Sequence, residues 1–152
     1  GRIALQSTAT RIDFYVLEST SASDRLRFVC RLCEKAYQAG HRIFLLTNSA
    51  SQSIELDKLL WTFKNDAFLP HNVLGDSQQA AAPIIIGTEL PATGMEDLLI
   101  NLDTDAPAEA GRFKRIAEVI DASDNIRQAG RQRFSDYRAQ GFAPETHKIG
   151  SN

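Results

Sequence analysis

Two short runs constrain the architecture more than anything else in the chain. Arg42-Ile43-Phe44-Leu45-Leu46-Thr47 and Pro83-Ile84-Ile85-Ile86-Gly87 are apolar without alternation. Successive side chains of a strand point to opposite faces, so a strand with one wet face alternates apolar and polar residues. An unbroken apolar run needs cover on both faces. Parallel sheets provide that, with helices above and below.

The other elements agree. Arg11-Ile12-Asp13-Phe14-Tyr15-Val16-Leu17 is short, β-branched and aromatic, the composition of a strand. Ser19 to Asp24 is turn and cap chemistry. Leu26, Val29, Cys30, Cys33 and Tyr37 recur at helical spacing, and Gly40 stops that helix. Ser49 and Gln52 have capping-box spacing. They open a helix with Leu56, Leu59 and Leu60 toward the core and Trp61 at its end. Gly75 to Ala82 reads as loop, Pro91-Ala92-Thr93-Gly94 as turn, and Asp97 to Leu102 as a fourth strand. Arg112 to Asp121 fits a helix through Phe113, Ile116, Val119 and Ile120, or a strand; we take it as the final strand, from about Arg115. Ser123 caps the last helix, which runs to Gln140 and ends at Gly141. The pattern predicts an α/β domain with an open, mostly parallel twisted sheet flanked by helices. A chain of 152 residues, 43% apolar and without internal repeat or linker, suits one domain. Its expected span is 10–145, with 146–152 a flexible tail. Gly1–Ala9 has no periodicity and no initiator Met, and is expected to be a disordered end or an expression remnant.

Several chemistries are disfavoured. A net charge of -2 sets up no global field for nucleic acid or an anionic membrane. No window is long and apolar enough to span a bilayer. The first strand leads into Glu18-Ser19-Thr20-Ser21, not into a Gly-rich phosphate loop, and no G-x-S-x-G elbow occurs. His41, His71 and His147 lie far apart, so neither a metal site nor a catalytic histidine is expected, and no cofactor is implied. His41 is expected to face solvent, and His71 to satisfy loop backbone. Cys30 and Cys33 form a C-x-x-C, but in mid-helix on the apolar stripe, where small buried hydrophobes are the better account. Two such cysteines suit a reducing, cytoplasmic location.

Two stretches carry candidate function. Trp61 to Asn72 holds the only Trp with Phe63, Phe68, Leu69 and Pro70 in a segment that does not continue as helix. Such aromatics either plug the core beneath a loop or stay exposed to grip a partner. On the last helix, Arg127, Arg131, Phe134 and Arg138 share one face, while Ile126, Ala129, Gly130 and Tyr137 share the face expected to pack on the sheet. Arg133 sits between them. The cationic face is either an ordinary solvated surface near a helix C-terminus or an anion receptor beside an aromatic. A short acidic peptide ending in an aromatic residue and a free carboxylate fits the second option. Single-stranded DNA fits less well, with one aromatic available for stacking.

Three stretches together resemble one family. They are Phe14-Tyr15-Val16-Leu17; Leu56-Asp57-Lys58-Leu59-Leu60-Trp61 with Phe68-Leu69-Pro70-His71-Asn72; and Arg131-x-Arg133-Phe134 with Tyr137-Arg138-Ala139-x-Gly141-Phe142. The chain resembles the chi subunit of bacterial DNA polymerase III holoenzyme, part of the clamp-loader assembly. The resemblance implies a Rossmann-like domain without a phosphate-binding loop and a non-catalytic adaptor of DNA replication. A polymerase label would attach only through the holoenzyme. One implied partner is the psi subunit, or a diverged equivalent, at Trp61, Phe68, Leu69 and Pro70; a helicase-like partner is implied at the same surface. The other is the acidic C-terminal tail of single-stranded DNA-binding protein, at Arg127, Arg131 and Phe134, with Arg138 beside them. Nucleic acid would be contacted only indirectly, and no membrane is involved. Position 127 is Arg where the family's familiar form has Lys, and 134 is Phe in place of Tyr, so charge and ring are kept. Two alternatives stay open: a nucleotide-using α/β enzyme and a direct single-stranded DNA-binding module.

Overall fold

The structure, a computed structural model, describes residues 10–63, 70–73, 82–91 and 94–150. In chain order the elements are β1 (Arg11–Leu17), α1 (Ala22–Gln38), β2 (Ile43–Leu46), α2 (Ala50–Thr62), β3 (His71–Val73) and β4 (Ile84–Gly87). Then follow β5 (Leu98–Asn101), a 3-10 turn at Ala110–Arg112, β6 (Arg115–Ile120), α3 (Asp124–Ala139) and β7 (Glu145–Ile149). The strands form one sheet in the order β3-β4-β2-β5-β6-β1-β7. Every described pairing is parallel, with Ile43 opposite Ile84 and Leu98, and Ile12 opposite Ile116.

The unbroken runs are now explained. Ile43, Leu45, Ile84, Ile86, Leu98 and Ile100 pack under α1 and α2 with Leu26, Val29, Cys33, Leu56 and Leu60. Phe44, Leu46, Ile85 and Leu99 point the other way and join Ile12, Phe14, Phe113, Ile116 and Tyr137 under α3 and the connections near it. Each fully buried side chain of this size contributes roughly 1.5–3 kcal/mol through burial. The starts of α1 and α2 and the stops of α1 and α3 follow the expected chemistry. Ser21 and Ser49 side chains accept from the N–H of Asp24 and Gln52, and Gln52 Oε1 accepts from the N–H of Asn48. Gly40 and Gly141 take φ of +89° and +98° just past α1 and α3, a region that favours glycine.

Three expectations are corrected. The strand at Arg115–Ile120 is not the last: residues 146–149, expected in a flexible tail, belong to β7, which pairs in parallel with β1 from Asp13 to Leu17. β7 is an edge strand, so its mixed sequence needs little apolar cover. The three-residue strand β3 was not foreseen, which makes the Ile84 run the fourth strand in sequence. Finally, Ser123 is the N-cap of α3 by position but makes no capping bond to it; its hydroxyl donates to Thr20 O at 3.3 Å. Gly1–Ala9, Phe68, Leu69, most of the Gly75–Ala82 loop and the middle of the Pro91–Gly94 turn lie outside the described residues.

Candidate functional site

One face of α3 is locked to the sheet by a buried polar network. Glu118 of β6 is fully buried. Arg133 Nε donates to its Oε1 at 2.8 Å, and the Tyr137 hydroxyl and Asn101 Nδ2 donate to its Oε2 at 2.6 and 2.9 Å. A second Arg133 nitrogen donates to Thr104 O at 2.9 Å. Burial pushes the Glu118 carboxyl above its usual range, against the pull of Arg133, Asn101 and Tyr137. A buried pair is costly to break from one side, so the network holds the helix in a single rotation. Arg133 therefore differs from the other α3 cations: it is structural. Gly130 lets the helix sit close, since a Cβ there would overlap Ile120 Cδ1. Ile126 packs at the margin of the same core, as its helical position predicts.

That rotation turns Arg127, Arg131 and Phe134 toward the edge of the sheet, where they line one hollow of about 620 Å³. Phe14 and Val16 of β1 and Ile120 of β6 form its floor, and Thr146 and Lys148 of β7 its far side. Phe134 is half-buried, its ring 5.1 Å from that of Phe14. Arg127 Nε is buried without a hydrogen-bond partner, and among the described residues neither Arg127 nor Arg131 pairs with a carboxylate. Glu18 is the one acid on the lining, against Arg127, Arg131 and Lys148. Arg138 lies a turn further on, in an adjoining depression with Arg131 and Phe134. The arrangement offers two guanidinium groups above an apolar floor. It can take a carboxylate in charge-assisted bonds and an apolar side chain beside it.

The far wall was absent from the sequence reading. It is fixed by His147, whose Nε2 meets Asp13 Oδ1 at 2.9 Å and whose ring stacks on Tyr15 at 5.2 Å. Asp13 is fully buried and also meets Arg11 and Arg115 at 3.0 and 3.2 Å. Burial works to raise its carboxyl, but His147, Arg11 and Arg115 outweigh it and hold it below the ordinary aspartate range.

The second candidate surface lies at the opposite sheet edge, beside β3. Trp61, in the last turn of α2, is 52% exposed, and Ile54, two turns earlier on the same face, is 56% exposed. Ile54 was not singled out from the sequence, although its i, i+7 relation to Trp61 was readable. The Trp61 ring stands 4.8 Å from that of His71. His71 is buried and meets Asp57 at 3.1 Å. Pro70 is half-buried. Six strand spacings of about 4.8 Å separate β3 from β7, which puts the two surfaces roughly 30 Å apart.

Other chemistries find less here. Asp24 occupies the first turn of α1 and accepts from Ser19 Oγ at 2.7 Å, so that helix N-terminus already faces a carboxylate. Cys30 and Cys33 are buried free thiols; burial pushes Cys30 up to about 12 and Cys33 well above its ordinary value. Among the described residues no cluster of His, Cys, Asp and Glu is arranged to hold a metal, and no helix is long and apolar enough to cross a membrane.

Comparison with known proteins identifies the family. The family model described as DNA polymerase III chi subunit, HolC, matches residues 9–145. The chain belongs to the DNA polymerase III chi subunit family. It is 41% identical over 140 residues to DNA polymerase III subunit chi of Pseudomonas aeruginosa, covering 92% of this chain and 97% of that one. It is 28% identical over 134 residues to the Escherichia coli chi subunit, covering 85% and 91%. A chi chain is an accessory component of the replication machinery. Among solved structures, the crystal structure of T4 UvsW is similar with a TM-score of 0.63 at 10% identity, over 92% of this chain and 42% of that one. Mss116p DEAD-box helicase domain 2 bound to an RNA duplex follows, with a TM-score of 0.56 at 11% identity, over 92% and 65%. These two likenesses concern the fold alone.

Proposed function

We propose that this chi-family chain is a non-catalytic adaptor, gripping the acidic C-terminal tail of single-stranded DNA-binding protein with α3 and the clamp loader with the far edge of its sheet. The observation that carries the reading is the convergence of Arg127, Arg131 and Phe134 on one hollow, with neither guanidinium paired to a carboxylate among the described residues. The tail's terminal carboxylate pairs with Arg131, assisted by Arg127, and its aromatic side chain lies beside Phe134 on the Phe14 floor. Arg138 attracts the acidic residues upstream. Such an interface is small, so its affinity is modest and salt-sensitive. Several tails on one coated strand offset that through avidity. Nucleic acid is thereby reached indirectly.

At the other edge, Trp61 and Pro70 receive psi or a diverged equivalent, and we assign Phe68 and Leu69, which lie outside the described residues, to the same contact; a helicase-like partner would use the same surface. The exposure of Trp61 supports this, since a large exposed aromatic is the usual anchor of an interface. Two surfaces on opposite edges leave both partners room to bind together.

The test is a titration of a labelled tail peptide at low salt against the wild type and Arg131→Ala. A loss of about tenfold or more, the size of one charge-assisted contact, is expected. Equal affinity would remove the assignment. For the second surface, Trp61→Ala should abolish co-purification with psi and leave tail binding unchanged.

A further inference from the structure

A second groove, on the other face of the sheet, remains without a role. It holds about 630 Å³ between the C-terminal half of α1 and strands β1, β5 and β6. Tyr15, Leu98 and Ala117 make its floor, and Phe28, Leu32 and Ala36 its wall. Its rim is cationic: Arg31, Lys35, Lys114 and Arg115, with His41 among them, stand around one acid, Asp97. Some of that charge is already engaged. Lys114 meets Asp97 at 3.5 Å, and Arg115 meets Asp13 at 3.2 Å and donates to the Tyr15 hydroxyl at 2.6 Å. Arg31 and Lys35 are exposed, lie one turn apart on α1, and have no carboxylate partner among the described residues.

The occupant follows from charge and from the rings. Two cations without a carboxylate partner among the described residues, over an apolar floor, call for a ligand with carboxylates and apolar side chains. A nucleic acid would need open ring faces for its bases. Here Tyr15 already stacks on His147, and Arg31 covers Phe28 at 5.5 Å. We propose that this groove is a second peptide receptor, for a short segment of a partner protein that alternates carboxylate and large apolar side chains. It opens on the other face of the sheet from the α3 hollow, since Tyr15 and Phe14 point to opposite faces of β1; Ile149 at the end of β7 borders both.

The probe is a synthetic Asp-Leu-Asp-Leu-Asp-Leu peptide, amidated so that it offers no terminal carboxylate to α3. It is titrated into the full chain and followed by two-dimensional NMR. Shifts are expected at Phe28, Leu32 and Ala117. Arg31→Glu with Lys35→Glu should weaken binding by about fivefold to tenfold, the size of two exposed charge contacts. Arg131→Ala should leave it unchanged. Should the double reversal disturb folding by circular dichroism, Arg31→Gln with Lys35→Gln takes its place, with a smaller loss expected. Shifts confined to Arg127–Phe134, unchanged binding by the Arg31 and Lys35 double variants, or a groove that takes an oligothymidylate and not the peptide would each overturn the proposal.

Discussion

Replacing Gly130 by Ala puts the closeness of α3 to the sheet under direct test. Gly130 lies inside α3, where Ala is intrinsically better by about 1 kcal/mol. The added Cβ would overlap Ile120 Cδ1 and stand 3.2 Å from Ile120 Cγ1. Ile120 is 5% exposed, so its end has little free space apart from the hollow it borders. Overpacking of this kind costs about 1–3 kcal/mol. Subtracting the helix gain leaves Gly130→Ala destabilising by about 0–2 kcal/mol. Any relief pushes Cδ1 into the hollow, so under the proposed function tail binding should weaken as well. Ile120→Val removes the overlapping methyl group at a cost of about 0.5–1.5 kcal/mol. In that background Gly130→Ala should become neutral or stabilising, by up to about 1 kcal/mol. Urea unfolding of the four proteins, with slopes checked for constancy, measures the cycle. If Gly130→Ala has the same effect with Ile or Val at position 120, to within about 0.5 kcal/mol, the close approach does not govern this site.

Three further outcomes follow. Arg133→Met strands the buried Glu118 carboxylate and should cost about 3–5 kcal/mol in urea unfolding, much of it recovered by adding Glu118→Gln; a cost below about 1 kcal/mol would mean that the network does not clamp α3. Asp13 has a folded value below its unfolded one, so its contribution is present above about pH 4 and lost as pH falls further. Asp13→Asn should therefore lower the melting temperature at neutral pH and flatten the acid side of a melting-temperature profile taken from pH 7 to 3; an unchanged slope would contradict this. Cys30 and Cys33, buried and held protonated, should resist a maleimide in the native state and react on unfolding; rapid native labelling would refute their placement.

What could be read from the chain depended on how each residue is buried. Ile43–Leu46, Ile84–Gly87 and Leu98–Asn101 are covered on both faces, so their apolar runs announce them. β7 is an edge strand whose Glu145, Thr146 and Lys148 are exposed, and nothing in its local composition demanded a sheet. β3, three residues long, carries too little periodicity to register. The cationic face of α3 was legible because four side chains share a helical repeat. Its far wall was not, because Phe14 and Thr146 are brought together only by the parallel register of β1 and β7. Arg133 resembles its neighbours in sequence; its separate role needs Glu118 opposite it on β6.

The central claim is that α3 reads a terminal carboxylate. It is tested most directly by comparing the tail peptide of single-stranded DNA-binding protein in free-acid and C-terminal amide forms, against the wild type and Arg131→Ala, by fluorescence anisotropy at fixed low salt. Amidation should cost the wild type about tenfold or more and cost Arg131→Ala little further, since the contact is already gone. An amide that binds the wild type as tightly as the acid would contradict the account.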